Sequence, residues 1–483
     1  MQHLQAQLQA MLGPERALFA RDALLAYECD GFTVHRALPA GVVLPETTAE
    51  VQAIVRLLAG ARVPFVPRGA GTCLSGGPTP AVPAVVIETA RMRRVLRVES
   101  EDLYAVVQPG VVNLDLTRQV RHLGLHYAPD PSSQSVCTIG GNLAENSGGP
   151  HCFKYGMTTD HVLGAKVVLS DGTVVTLGGE ATPRPPQGLD LIGLFTGSEG
   201  TFGIATEITV RLSRDPDQIR TMLAAFPSMR AACAVVSEII GAGALPAALE
   251  ILDRATIAAV EASVYRAGYP TDADAVLLVE VDGSEEQVAA DTQLVARLCA
   301  ERGALSFETA ATPAERKRLW KGRKGAFGAM GRLRPDLYVL DGVVPRTRLE
   351  DALAGIGDIA QRHGVTLTNV FHAGDGNLHP NISFDGRDAD ETKRVLAAGY
   401  AILELCMAMG GSISGEHGIG SEKLAHVPLM FTPADLEAMA AVRRAFDPDG
   451  LCNPGKVLPQ RGSCAEPARW PAMVDAVLAE DRE

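Results

Sequence analysis

Two short loops constrain this chain more than any other feature. Pro67 to Gly77 and Thr138 to Gly149 together hold eight glycines among small polar residues. Glycine reaches positive φ and lets the backbone approach an anion closely, while exposed N–H groups and the hydroxyls of Thr72, Ser75, Thr138 and Ser147 can donate to phosphate oxygens. Either loop alone reads as an ordinary connection; two in one domain look built to cradle a diphosphate. The spacing excludes the two commonest nucleotide motifs. Gly69 and Gly71 begin a Gly-x-Gly, but Leu74 stands where the dinucleotide fingerprint needs its third glycine. Gly71 and Gly76 are spaced as in a P-loop, yet Gly77 replaces its lysine.

Over Val43 to Gln52, both glycine loops, Pro129 to Gly156, Gly197 to Ile204 and Phe446 to Lys456, the chain resembles the FAD-binding domain of the vanillyl-alcohol-oxidase and para-cresol-methylhydroxylase (PCMH) family. Within it, the chain is most similar to the FAD subunits of bacterial glycolate oxidases, kin of D-lactate and D-2-hydroxyglutarate dehydrogenases. The resemblance implies FAD held by Pro67, Arg68, Gly69, Gly71, Thr72, Ser75, Gly76, Gly77, Pro131, Thr138, Gly140, Gly141, Asn142, Asn146, Gly148, Gly149, Gly156, Gly200, Ile204 and Asn453. Cys73 departs from the family, where many relatives carry glycine. His151 and Cys152 lie near where some members tether flavin, but the glycolate oxidase relatives are not tethered, so non-covalent FAD is expected.

A length of 483 residues implies two or more domains. A net charge of −13 argues against a nucleic-acid binder and against a broad hold on acidic membranes, so an anionic substrate needs a local basic pocket. The nine cysteines include no Cys-x-x-Cys pair, which disfavours a zinc ribbon or an iron–sulphur cluster within the chain and fits a reducing compartment. The first ten residues lack the basic-then-apolar pattern of a secretion signal, and no apolar run is long enough to span a bilayer. A cytoplasmic protein is expected, with peripheral attachment to the inner membrane through partner subunits left open.

The expected fold class is α+β: a helical lead-in over 1–40, a two-part PCMH-type FAD-binding domain over 41–215, a substrate (cap) domain over 216–432 with an antiparallel sheet flanked by helices, and a helical C-terminal segment over 433–483 that returns to the flavin domain. The patterns predict a helix from Thr48 to Ala61 and strands at Ala84 to Glu88, Tyr104 to Gln108, Val162 to Leu169 and Ala275 to Asp282. The second domain is expected to carry its helices on one sheet face.

The chemistry of that domain concentrates in Asn369 to Pro380. Asp375-Gly376 between apolar residues signals a two-residue hairpin turn, which would pair Gly374 with Asn377 and set His372 directly across from His379, Cβ atoms ~5 Å apart. Two opposed histidines can grip one metal ion, and Glu416, among the glycines of Ser412 to Gly420, would complete a two-His, one-carboxylate set. For an isolated histidine a satisfied core hydrogen bond is the better reading. In the relatives, the residues matching His372, His379 and Glu416 bind a divalent metal, and the one matching His417 is the general base. Zinc is the first expectation; manganese and iron accept the same ligands.

A small hydroxy acid also needs its carboxylate held. Arg323, in Trp320 to Phe327, matches the family position that grips it, and a guanidinium forks onto a carboxylate with two donors. Lys321 and Lys324 read as a solvated helix face. Asn377 joins His417 and Arg323 as an expected catalytic residue. Relatives acting on dicarboxylates carry a lysine before the residue matching Asp341; Val339 and Leu340 stand here, which favours glycolate or D-lactate unless Arg346 compensates. The expected reaction removes the hydroxyl proton to His417 and passes the C2 hydride to flavin N5, and slows in acid because the base must be neutral. Electrons must then leave, and the resemblance implies a second FAD-domain subunit and an iron–sulphur subunit. The alternatives are a D-lactate or other D-2-hydroxy acid dehydrogenase with a different acceptor, and a non-catalytic flavin subunit of an oxidase complex. A metalloprotein without redox chemistry would leave both glycine loops unexplained.

Overall fold

A computed structural model describes residues 2–179 and 188–459, which divide into two compact units. The first gathers three separate stretches, 2–148, Gly156–Asp215 and the residues from Glu416 on; the second comprises Gly149–Tyr155 and Pro216–Gly415. The second unit therefore ends at Gly415, not at 432. The reason is chemical: Glu199 in the first unit accepts hydrogen bonds from the amides of Ile419 and Gly420, which ties the chain beyond Gly415 to that unit.

The lead-in is not a separate helical domain. After the helix Gln2–Leu12, the strand Ala17–Leu18 pairs antiparallel with Gly41–Val43 and joins a four-stranded sheet, ordered Ala17–Leu18, Gly41–Val43, Val85–Glu88, Phe65–Arg68, whose other pairs are parallel. The helix Thr48–Gly60 packs on it because Val51, Ile54, Val55 and Leu58 recur at helical spacing and are all fully buried, and Thr47 caps it by accepting from Glu50 N. The edge strand Phe65–Arg68 is covered by the returning C-terminal stretch: Phe65 N donates to Leu451 O and Asn453 N to Phe65 O. A second, five-stranded antiparallel sheet is ordered Val95–Glu99, Tyr104–Val107, Ile204–Arg211, Val162–Val168, Val174–Gly178.

The second unit is built on a nine-stranded sheet whose pairings are all antiparallel. Helices cover both of its faces, not one. Ala275 to Val279 is an apolar run without alternation, and every residue from Ala275 to Asp282, the acids Glu280 and Asp282 included, is buried, so both faces must be packed. Leu223, Ala225, Val276 and Leu278 meet the helices Arg254–Glu261, Pro313–Lys324 and Ala326–Met330 in one core. The intervening residues point the other way, where Met229–Gly241 and Glu285–Glu301 lie on the strands Gln218–Phe226 and Ala275–Gly283.

Candidate functional site

In the first unit the strand Phe65–Arg68 runs into the first glycine loop, and the helix Ile139–Glu145 opens the second, capped by Thr138 Oγ1 accepting from Gly141 N at 3.3 Å. The two loops touch. A Cβ at Gly69 would sit 2.5 Å from Thr138 Oγ1 and 3.7 Å from Gly141 Cα, so glycine is needed for this approach. Among the described residues, none accepts a backbone hydrogen bond from Ala70, Gly71 or Thr72, and such donors on a close-packed glycine loop suit a phosphate group. Replacing Gly69 by valine is expected to part the loops, giving a folded protein that purifies with little or none of the visible flavin absorbance of the wild type.

Several expected cofactor residues serve the frame. Ser75 is fully buried, its hydroxyl 3.2 Å from Cys73 Sγ and its carbonyl accepting from Ser421 N and Glu422 N. Arg68 donates to Cys29 O and faces Glu88 at 3.6 Å, with Nη1 buried and unpartnered. Asn142 accepts from Asn113 and donates to Ser147 Oγ; Asn146, at φ +50, ends the helix and accepts from Thr159 N. Asn453 donates to Gly77 O and Glu199 O, locking the C-terminal stretch to the first loop. Pro67 packs against Gly200, and Ile204 is buried at the head of a strand. Gly149 falls within the Gly149–Tyr155 segment of the second unit, apart from the other loop residues. There His151 Nε2 lies 3.1 Å from Glu280 and its ring 5.4 Å from that of Trp320.

The hairpin of the second unit is longer than its sequence implies. Ala373 to Gly376 form a four-residue loop, and His372 pairs with Asn377, so Asn377 faces residue 372 and not 374, a shift of two. Asp375 Oδ1 accepts from Asn377 N, and Gly376 closes the loop at φ +82. Asn369 pairs with Pro380 in the same register. Side chains alternate with period two, so this shift keeps His372 and His379 on one face as diagonal neighbours. Their ring centroids are 5.1 Å apart with planes 88° to each other, and a nitrogen of each lies within 4.8 Å of one of the other.

The tautomers follow from what each ring faces. His372 Nδ1 is 2.7 Å from Glu250 Oε1, and His379 Nδ1 is 3.2 Å from Leu340 O. A carboxylate and a carbonyl can only accept, so each Nδ1 carries the proton and each Nε2 offers a lone pair. Two buried imidazoles, each with Nε2 as its lone-pair nitrogen, form a fitting donor pair for a divalent cation.

Arg323 completes this region. Arg316, Trp320 and Arg323 recur at helical spacing on Pro313–Lys324, whose start is fixed by a Thr312–Glu315 capping box and Pro313. They meet two glutamates on the sheet: Arg316 and Trp320 Nε1 bond to Glu280, and Arg323 Nε to Glu250 Oε2 at 2.5 Å. Burial pushes the Glu250 carboxyl up, but Arg323 and His372 outweigh it and hold it below its ordinary range. Arg323 is 1% exposed, yet Nη1 and Nη2 have no partner among the described residues. Two unsatisfied guanidinium donors in a buried setting call for an anion. Lys321 and Lys324 are exposed, as the sequence implies. Arg346 donates to Gly374 O and lies over Phe153, so it braces the hairpin.

Glu250 and Asp341 carry roles their sequence context did not reveal directly. Glu250 is a lone acid in the apolar run Ala247 to Leu252, a signal that it must have buried partners. Asp341, fully buried, accepts from Asn377 Nδ2 at 2.8 Å, Ser414 Oγ at 2.7 Å and Gly415 N at 3.0 Å. In the first unit, His417 Nε2 lies 3.7 Å from Glu416 Oε1.

The family described as "FAD binding domain" matches residues 39–178, and "FAD linked oxidases, C-terminal domain" matches residues 215–457. The chain is 46% identical over 449 residues to glycolate oxidase subunit GlcD of Escherichia coli strain K12, covering 93% of this chain and 89% of that one. The chain belongs to the FAD-linked oxidases. This FAD-linked oxidase is also 40% identical to glycolate oxidase subunit GlcD of Bacillus subtilis, over 93% of this chain and 96% of that one, and 31% identical to a D-lactate dehydrogenase of Anaerostipes hadrus, over 92% and 95%. A p-cresol methylhydroxylase structure shares its fold with a TM-score of 0.80 at 19% identity, covering 94% of this chain and 96% of that one. The expected PCMH-type α+β fold and the expected oxidoreductase class therefore hold. No helix among the described residues is long and apolar enough to cross a membrane.

Proposed function

We propose that this FAD-linked oxidase oxidises a short 2-hydroxy acid, glycolate or D-lactate, to the 2-oxo acid. The observation that carries the reading is Arg323: two buried, unpartnered guanidinium donors held in place through Glu250, which also orients His372. That is a binding device for one carboxylate beside a histidine pair that fits a cation. The names of the relatives agree in substrate class.

On this reading Arg323 forks onto the substrate carboxylate and fixes which way the molecule lies. His372 and His379, with Glu416, hold a divalent cation, zinc first, whose Lewis acidity favours ionisation of the substrate hydroxyl. Glu250 keeps the His372 lone pair aimed outward, and Leu340 O does the same for His379. Asn377, held by Asp341 and with Oδ1 unsatisfied, positions the substrate. His417 takes the hydroxyl proton. FAD, held by the glycine-loop residues, supplies the acceptor for the C2 hydride. Engagement of His151 by Glu280 and Trp320 supports non-covalent FAD. Electrons leave through partner subunits, a second FAD-domain protein and an iron–sulphur protein, with the complex in the cytoplasm or at the inner membrane surface; the subunit status of the GlcD relatives supports this.

Anaerobic mixing with glycolate, D-lactate and L-lactate in turn tests the reading through the flavin absorbance. Bleaching by glycolate or D-lactate is expected. A bound flavin that no hydroxy acid reduces would point instead to a non-catalytic flavin subunit.

A further inference from the structure

We propose that Glu199 is a positioning residue for His417, acting by clamping the loop that carries it; this rests on the base role given to His417 above. Glu199 is 5% exposed and lies between Gly197 and Gly200 at φ +50, a left-handed conformation that is uncommon for a residue with a side chain. The surrounding chain over-determines that conformation. Glu199 N donates to Ala144 O, and Glu199 O accepts from Asn453 Nδ2. Its carboxylate then takes two consecutive amides, Ile419 N on Oε1 and Gly420 N on Oε2, both at 2.7 Å.

Those amides belong to a tight turn just after His417, with Gly418 at φ +82 and Gly420 at φ +54. A Cβ at Gly418 would lie 2.7 Å from Glu199 Oε1 and 2.8 Å from Glu145 Oε2, and one at Gly420 only 2.0 Å from Ser75 O. Lys423 Nζ, fully buried, donates to Gly418 O at 3.0 Å from the same turn. The backbone beyond His417 is thus gripped at successive peptide groups, and two of those grips come from one carboxylate.

Charge supports the arrangement. Asp30, Glu145 and Glu199 place three carboxyls near the buried ammoniums of Lys423 and Lys456. Burial, and then repulsion by Glu199, push Glu145 well above the usual carboxylate range. Burial raises Glu199 as well, but the Ile419 and Gly420 amides and both lysines favour its ionised form.

Glu199→Gln retains the size of the side chain but has one acceptor oxygen and presents an amide to the second N–H. A displaced catalytic group can cost ~10²-fold in rate. The experiment is a double-mutant cycle on the anaerobic flavin-reduction rate with glycolate or D-lactate, using E199Q, H417A and the pair. E199Q is expected to hold flavin normally, leave the substrate concentration for half-maximal rate within ~3-fold, and lower the limiting rate ~10²-fold in the presence of His417 but less than ~3-fold in its absence. Equal losses in both backgrounds, or none in either, would overturn the proposal. Loss of flavin from both E199Q and Glu199→Asp would also overturn it, making Glu199 part of the cofactor cradle. The substrate reading is judged separately: it fails if the wild type is reduced by no hydroxy acid.

Discussion

His417→Ala is expected to lower the rate of flavin reduction by the hydroxy acid ~10²–10⁴-fold, the usual contribution of a positioned general base. Flavin content and thermal stability are expected to stay close to those of the wild type. The turn that carries His417 is held through backbone groups of Gly418, Ile419 and Gly420, none of which needs the imidazole. Substrate affinity is also expected to persist, because the carboxylate is assigned to Arg323. Stopped-flow measurement across substrate concentration separates these effects. A variant reduced as fast as the wild type would remove His417 from the chemistry.

Arg323→Lys is expected to raise the substrate concentration needed for half-maximal reduction ~30-fold or more. Hydrogen bonds to charged groups contribute ~1.5–3 kcal/mol each, and lysine cannot pair with Glu250 and also present a two-donor fork to substrate. Lysine is the informative replacement because Glu250 is fully buried and would keep a cationic neighbour. Arg323→Ala, by contrast, strips that carboxylate of its cation, a loss of ~3–5 kcal/mol that confounds binding with folding. If Arg323→Lys binds hydroxy acid as tightly as the wild type, Arg323 serves only as the counter-ion of Glu250.

How legible these features were in the sequence depended on the range of the interactions. Patterns decided by neighbours in the chain were readable: the helix Thr48–Gly60 from its capped apolar spacing, and the strand Val85–Glu88 from its β-branched run. The glycine loops were legible as a pair, since two such runs signal close backbone approach; that Ser75 faces inward while Gly69 touches Thr138 depends on tertiary packing. The Asp375-Gly376 signal overstated a two-residue turn, because Asp375 bonds the amide of Asn377 and lengthens the loop. The histidine face survived that difference only because the shift was even. Glu250 and Asp341 escaped because their partners, Arg323 and Ser414, are 73 residues away in each case. The helices on both sides of the large sheet were foreshadowed by the apolar run of Ala275 to Val279, five residues without the alternation that a one-sided sheet would show.

The return of the C-terminal stretch to the edge of the first sheet has a consequence for how the protein is made. Lys456 Nζ bonds Gly76 O across 380 residues, and Asn453 reaches Gly77 across 376 residues and Glu199 across 254. A nascent chain that has already emitted both glycine loops therefore still lacks the strand neighbour of Phe65 and the clamp on the first loop. The second unit, largely continuous from Pro216 to Gly415, has most of its strands available earlier. Closure of the flavin half is thus ordered in time: the middle of the chain can collapse during synthesis, whereas the edge at Phe65 and the first glycine loop stay uncovered until the late segment arrives.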